Sequence, residues 1–354
     1  MNGILKLPFS FIHRFLWEYV HKRYYFAAYD KENIKEDKIL KVIVTGGAGF
    51  IGSHLVDELI SRGIEVHVLD NLVSGQLLQV NPEAHMYVVD IRSEEARRII
   101  LQVKPEAIFH LAAQADIGRS VQHPGYDADV NIIGTINLLE AARSAKVRKF
   151  IFASTSAVYG NSHNALISEA DVTIPSSYYG LSKLTAESYI RLYYELYRQS
   201  YTILRYANVY GPRQIPKGEG GVVSVFLDRI KKGESLNVHG DGQQTRDFIY
   251  VKDVVAANLA AMNSGDQHIL QVSTSQKTSI NEILKLLSNK FDVSVKKVFT
   301  SPREGDIMHS CLCNKKAADI LNWQPHYTIE DGLEEIRAFV SQTEDALKEM
   351  ERYE

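Results

Sequence analysis

From Lys41 onward the apolar positions fall into two alternating patterns. Short, nearly continuous β-branched runs predict strands: Lys41-Val-Ile-Val-Thr45, Glu65-Val-His-Val-Leu69, Met86-Tyr-Val-Val89, Ala107-Ile-Phe-His-Leu111 and Lys149-Phe-Ile-Phe-Ala-Ser154. Between them apolar residues recur at helical spacing, from Ser53 to Ile60, in a segment ending near Val103, from about Tyr126 to Ala145, and in a segment opening at Tyr178. Strands apolar on both faces, alternating with helices, predict an α/β fold with a Rossmann-like, doubly wound parallel sheet. Ligands of such sheets sit beyond the carboxyl ends of the strands, which singles out Asp90, the residues after His110, and Ser154 to Ser156.

The first strand breaks into Gly46, Gly49 and Gly52 before its helix begins. Glycines there allow a sharp turn, a close approach of pyrophosphate to the backbone, and tight helix packing, with the positive end of the helix facing the phosphates. Such turns also occur without a ligand. Asp70, ending the second strand roughly 20 residues downstream, is the carboxylate expected to grip an adenosine ribose. No Arg or Lys follows in Asn71-Leu-Val-Ser-Gly75 to offset a 2′-phosphate, so the cofactor expected is NAD and not NADP.

The chain has 354 residues and a net charge of −3, which gives no argument for a polyanionic partner such as nucleic acid. Its two cysteines, Cys311 and Cys313, are spaced as a poor disulfide and read as reduced thiols of a cytoplasmic protein. Residues 1–38 form an N-terminal arm and linker rich in aromatic and basic residues, with Phe11, Phe15 and Tyr19 at helical spacing. Its apolar runs are too short to cross a bilayer. Docking on the protein's own body or a sister subunit, peripheral membrane contact through residues 1–29, and disorder all remain open for it. Residues 39–212 are expected to form the dinucleotide-binding domain. Residues 213–354 should mainly build a smaller substrate domain, with a return to the first domain at about 236–273 through strands near Leu236 and Gln271 and a helix after Asp253. Lys217 to Gly221 reads as a flexible turn before a helix from Val222 to Lys232. The twelve histidines show no ligand-like spacing with carboxylates, so no metal is predicted.

Tyr179 and Lys183 lie four apart and share a helix face. Alone such a pair is commonplace, and Ser154-Thr-Ser156 alone reads as easily as a cap or turn. Together, in a dinucleotide fold, they suggest acid/base chemistry. A tyrosine is only about 0.1% phenolate at neutral pH. A neighbouring ammonium and a positive nicotinamide ring would lower its pKa and make it a useful base.

TGGAGFIGS, Asp70-Asn71, Asp90-Ile91, HLAAQA, ASTSAVYG, Tyr179-x-x-x-Lys183, RYANVYGPR and TRDFIYV together resemble extended short-chain dehydrogenases/reductases, specifically nucleotide-sugar epimerases of the UDP-glucose 4-epimerase type, over about residues 41–345. The resemblance implies that Thr155 hydrogen-bonds the sugar O4, Tyr179 is the base, and Lys183 also holds the nicotinamide ribose. It implies cofactor contacts from Gly46, Gly49, Phe50, Ile51, Gly52, Asp70, Asn71, Asp90, Ile91, Leu111, Ala112, Ala113 and Asn131. For the UDP-sugar it implies Asn208, the edge from Leu236 to His239 beside uracil, and diphosphate clamps Arg246 and Arg303. A homodimer through helices near 126–145 and 178–199 is implied as well.

Two departures carry information. Ala115 stands where several 4-epimerases have a lysine near the cofactor phosphates. The triplet Thr155-Ser156-Ala157 lacks the carboxyl group that related dehydratases and decarboxylases carry there, and the cysteine of GDP-mannose 3,5-epimerases. That leaves oxidation and reduction at C4. Ser310 resembles a position where a small residue admits N-acetyl sugars, so UDP-GlcNAc is expected beside UDP-glucose. Uronate epimerases tend to show Ser and Thr at the places of Ala157 and Asn208, which leaves UDP-glucuronate 4-epimerisation as an alternative below the neutral hexoses. A decarboxylase or dehydratase with another acid, and a catalytically silent NAD-binding scaffold, are the rival readings.

Overall fold

The structure is a computed structural model that describes residues 40–162, 164–216, 221–301 and 307–351. The amphipathic arm, most of the 217–221 turn, and Arg303 lie outside the described residues.

Strands β1 (Lys41–Thr45), β2 (Glu65–Asp70), β3 (His85–Val88), β4 (Ala107–His110), β5 (Lys149–Thr155) and β6 (Tyr201–Tyr206) are joined by the later β11 (His268–Val272) in one seven-stranded sheet. Its order is β11-β6-β5-β4-β1-β2-β3, with every pairing parallel. Because β1 pairs with both β2 and β4, the direction of winding reverses beside it, and a cleft opens there at the carboxyl ends.

Alternate residues of these strands feed two cores, as the two-residue period requires. Val42, Val44, Phe109, Ile151 and Leu204 face one layer, which contains helix α1 (Phe50–Ser61). Ile43, Ile108, Phe150, Phe152 and Ile203 face the other, built from α2 (Glu94–Val103), α3 (Gly134–Ala145) and α4 (Tyr178–Tyr197). The helical pattern predicted from Tyr126 to Ala145 is interrupted. A short helix Pro124–Ala128 runs through a π-turn at Asp129–Ile133 before α3 begins.

A third core, around Tyr210, Phe226, Val238, Phe248, Ile283 and Leu333, holds the smaller C-terminal part. It gathers β7 (Asn208–Tyr210), α5 (Val222–Lys231), β8 (Leu236–His239), β9 (Thr245–Arg246) and β10 (Phe248–Tyr250). After α6 (Val251–Asn263) and β11 come β12 (Thr278–Ser279), α7 (Ile280–Phe291), β13 (Lys297–Thr300), α8 (Lys315–Leu321) and α9 (Ile329–Glu351). The strand at Leu236 corrects the sequence reading. It pairs in parallel with β13 and stays out of the central sheet, which only β11 rejoins. Periodicity marks a strand but not its partner, and here the partner lies some sixty residues on. Both cysteines are free thiols. Among the described residues no helix is long and apolar enough to cross a membrane.

Candidate active site

The turn after β1 is closed by its glycines. Gly46 has φ +72°, and a Cβ there would come within 2.7 Å of the Ala112 nitrogen; one on Gly52 would lie 2.1 Å from the Gly46 carbonyl oxygen. The loop after β4 therefore packs directly on the turn. Helix α1 starts at Phe50 with no side-chain cap on Gly49, so the amides of its first turn, beside Phe50 and Ile51, are directed at the cleft and suit an anion.

The cleft is a cavity of about 640 Å³, within the usual range for small-molecule sites. One end is lined by the glycine turn, Asp70, Asn71, Asp90 and Ile91, the middle by Leu111, Ala112 and Ala113, and the other end by Thr155, Tyr179, Lys183 and Asn208. Asp70 accepts the amides of Ala48 at 3.0 Å and Leu72 at 2.8 Å, while burial pushes its pKa up. Asp90 is held at about 2, mainly by hydrogen bonds from the Arg92 guanidinium. Asn71 donates to Asp90 across 3.1 Å. This polar end, the uncapped helix and the apolar walls fit a dinucleotide.

The end that holds Thr155, Tyr179 and Lys183 is assembled by local devices. Thr155 ends β5, and its hydroxyl accepts the Ala157 amide at 3.1 Å, leaving its own hydrogen to be donated into the cavity. Ser177 caps α4 through the Gly180 amide at 3.1 Å and thereby starts the helix that carries Tyr179 and Lys183. Gly180 lets that helix meet the turn after Thr155, since a Cβ there would lie 2.5 Å from the Ala157 carbonyl oxygen. Lys183, only 3% exposed, donates to the Ala153 carbonyl at 2.9 Å with its ammonium 4.7 Å from the Phe152 ring centre.

A hydrogen-bond chain fixes the floor. Thr135 gives its hydrogen to the Asn131 carbonyl at 2.6 Å, so His110 Nε2 must donate to Thr135 at 2.9 Å. His110 Nδ1 then accepts from Thr45 at 2.8 Å, and Thr45 accepts the Ala112 amide at 3.2 Å. This assigns a neutral imidazole protonated on Nε2. Burial, and then the charge of Lys183, hold its pKa well below the usual value. Asn131 is 2% exposed, and its amide ties Gln114 at 2.9 Å and Ser182 at 3.0 Å. It braces the loop after β4 and is not among the residues lining the cavity.

Other expected substrate contacts sit apart from the cavity wall. Leu236 is fully buried. His239 Nδ1 pairs with Thr300 at 2.9 Å, and Arg246 donates to the Thr245 carbonyl at 2.9 Å. Ser310, 9% exposed, donates its amide to the Thr245 carbonyl. Among the described residues none of these four lines the cavity.

Sequence reasoning missed the supports. Arg205, in the apolar run of β6, forms a buried ion pair with Glu187, and its Nη1 donates to Tyr159 at 2.7 Å. A charge inside such a strand needs a partner, and that was the available signal. Arg213, φ +67°, pairs with Asp57 of α1 at 2.6 Å, and His54 donates to the Pro212 carbonyl at 3.0 Å; together they tie the turn after β7 to α1. Spacing also gave no hint that Glu65, His67 and His85 gather at the opposite ends of the strands.

Residues 42–273 match the NAD dependent epimerase/dehydratase family. A putative UDP-glucose 4-epimerase of Methanocaldococcus jannaschii is 43% identical over 83% of this chain and 96% of its own length. The solved UDP-glucose 4-epimerase of Thermotoga maritima is 43% identical, with a TM-score of 0.84 over 86% of this chain and 99% of that one. A UDP-N-acetylglucosamine 4-epimerase of Methanobrevibacter ruminantium is 34% identical, with a TM-score of 0.82 over 86% of this chain and 100% of that one. With its glycine turn, its cleft beside β1 and its Thr155, Tyr179 and Lys183 in one cavity, the chain belongs to the NAD dependent epimerase/dehydratase family.

Proposed function

We propose that the protein is a UDP-sugar 4-epimerase that interconverts UDP-glucose and UDP-galactose and also accepts UDP-GlcNAc and UDP-GalNAc. The observation that carries this reading is the shared cavity of Thr155, Tyr179 and Lys183 beside the dinucleotide cleft, with Ala157 and not a carboxylate following Ser156. The chemistry NAD supplies when bound is reversible acceptance of the hydride from C4. Tyr179 takes the O4 proton through its phenolic oxygen and returns it after the 4-keto sugar has turned over. Thr155 holds O4 by donating its hydroxyl hydrogen, and Lys183 stabilises the phenolate by charge. The backbone around Ala112, fixed through Thr45 and His110, keeps the cofactor channel in register with these groups.

Support for the N-acetyl substrates comes from likeness to the Methanobrevibacter protein; Ser310, which does not line the cavity, is carried by the family resemblance alone. Exposed Leu181, Tyr189, Leu192 and Leu196 on one side of α4, with Ile133 before α3, support a homodimer through these helices. Incubation of the purified chain with separate UDP-sugars, followed by sugar analysis, tests the reading. Conversion of UDP-glucose and UDP-GlcNAc to their 4-epimers is expected. Turnover of UDP-glucose alone overturns the Ser310 assignment. Release of CO₂ from UDP-glucuronate, or a 4-keto-6-deoxy product, overturns the reaction class.

A further inference from the structure

We propose that Glu65, His67 and His85 form a binding site for one divalent d-block cation, of the zinc class, at the edge of the central sheet. The parallel register puts His67 of β2 directly beside His85 of β3, the edge strand. Glu65, two residues before His67, points to the same face. His67 Nε2 lies 2.9 Å from Glu65 Oε1 and His85 Nε2 lies 3.9 Å from it, and all three ligand atoms fall within 4.8 Å of one another. Two imidazoles and a carboxylate are zinc ligands, and metal distances of about 2.0–2.2 Å are reached by small side-chain adjustments from this spacing, leaving a fourth position for water.

The surroundings favour metallation through Nε2. Without a metal, His67 Nε2 donates to Glu65 Oε1 at 2.9 Å and Nδ1 accepts from the Tyr87 hydroxyl at 3.2 Å. A cation would take the place of the hydrogen shared by Nε2 and Glu65, with Nδ1–H then donated to the Tyr87 oxygen. The two imidazole rings stack at 4.7 Å with 21° between their planes, which holds the two side chains side by side. Lys41, whose ammonium lies 3.1 Å from Glu65 Oε1, occupies the carboxylate when no metal does and would compete with it. The site stands at the amino ends of β1, β2 and β3, opposite the catalytic cleft. Its effect is to fasten the edge strand to its neighbour.

Titration of the full-length chain with Zn(II) by calorimetry, and with Co(II) by visible absorption, tests this together with the thermal unfolding temperature. One Zn(II) per chain, tetrahedral Co(II) bands and a raised unfolding temperature are expected. His85→Gln and Glu65→Gln should each weaken binding more than the roughly tenfold that loss of an outer-shell partner costs. Lys41→Met should tighten it. His85 is exposed, so His85→Gln should fold normally and retain epimerase activity. Equal Zn(II) binding by the wild type and His85→Gln, or no change in the unfolding temperature with Zn(II), overturns the proposal.

Discussion

Glu187 and Arg205 form a buried bidentate ion pair, with Arg205 Nε 2.9 Å from Oε1 and Nη2 2.6 Å from Oε2. Glu187 lies one helical turn beyond Lys183, and it also accepts the Ser154 hydroxyl at 2.5 Å, next to Thr155. The pair therefore joins the strand that carries the hydroxyl to the helix that carries the phenol and ammonium.

Removing one partner leaves a buried charge alone. Glu187→Ala or Arg205→Ala should each cost about 3–5 kcal/mol in denaturant unfolding. The double replacement Glu187→Leu with Arg205→Met should cost less than the sum of the two single changes. Strict additivity in that cycle would mean that the two side chains act independently.

Gly180→Ala tests how α4 is seated. The added Cβ meets the Ala157 carbonyl oxygen at 2.5 Å, so the helix start must move away from the Thr155 turn. A loss of about 1–3 kcal/mol of stability is expected from the overpacking. A fall in kcat larger than the change in KM should accompany it, because Tyr179 and Thr155 no longer meet one atom. Steady-state kinetics with unchanged kcat would remove Gly180 from this role.

His110 predicts a pH dependence. Its folded pKa lies below its unfolded value near 6.5, so below that pH the unfolded chain binds the extra proton. Stability is present in full above about 6.5 and falls as the pH drops toward the folded pKa, by up to about 1.4 kcal/mol per pH unit for this one group. Urea unfolding at pH 7.5 and 5.5 should show the loss in the wild type and a smaller loss in His110→Gln. Equal losses in both would assign the acid sensitivity to other groups.

The legible part of this molecule was what local pattern encodes. β1, its glycine turn and α1 announce themselves through an apolar run broken at Gly46, Gly49 and Gly52, and Tyr179 and Lys183 through helical spacing. What stayed hidden depends on partners distant in the chain. Leu236 reads as a strand but finds its partner at Lys297, and His67 meets His85 only through strand register. Asn131, a cofactor contact only by family resemblance, has its amide tied by the π-turn to Gln114 and Ser182, bonds that no local pattern announces.

Tyr179→Phe removes the phenolic oxygen and keeps the ring. A fall in kcat of roughly 10²–10⁴-fold with little change in unfolding is expected, as for loss of a general acid–base group. Near-normal turnover by a correctly folded Tyr179→Phe chain would rule the phenol out as the base.

The fate of a C4 deuterium tests the account most directly. UDP-glucose labelled with deuterium at C4 is incubated with the enzyme in ordinary water, and the UDP-galactose formed is examined by mass spectrometry and NMR. Hydride removal and return within one closed site predicts product with the label retained at C4 in the opposite configuration. Product that has lost the deuterium to solvent, or label that has moved away from C4, would contradict it.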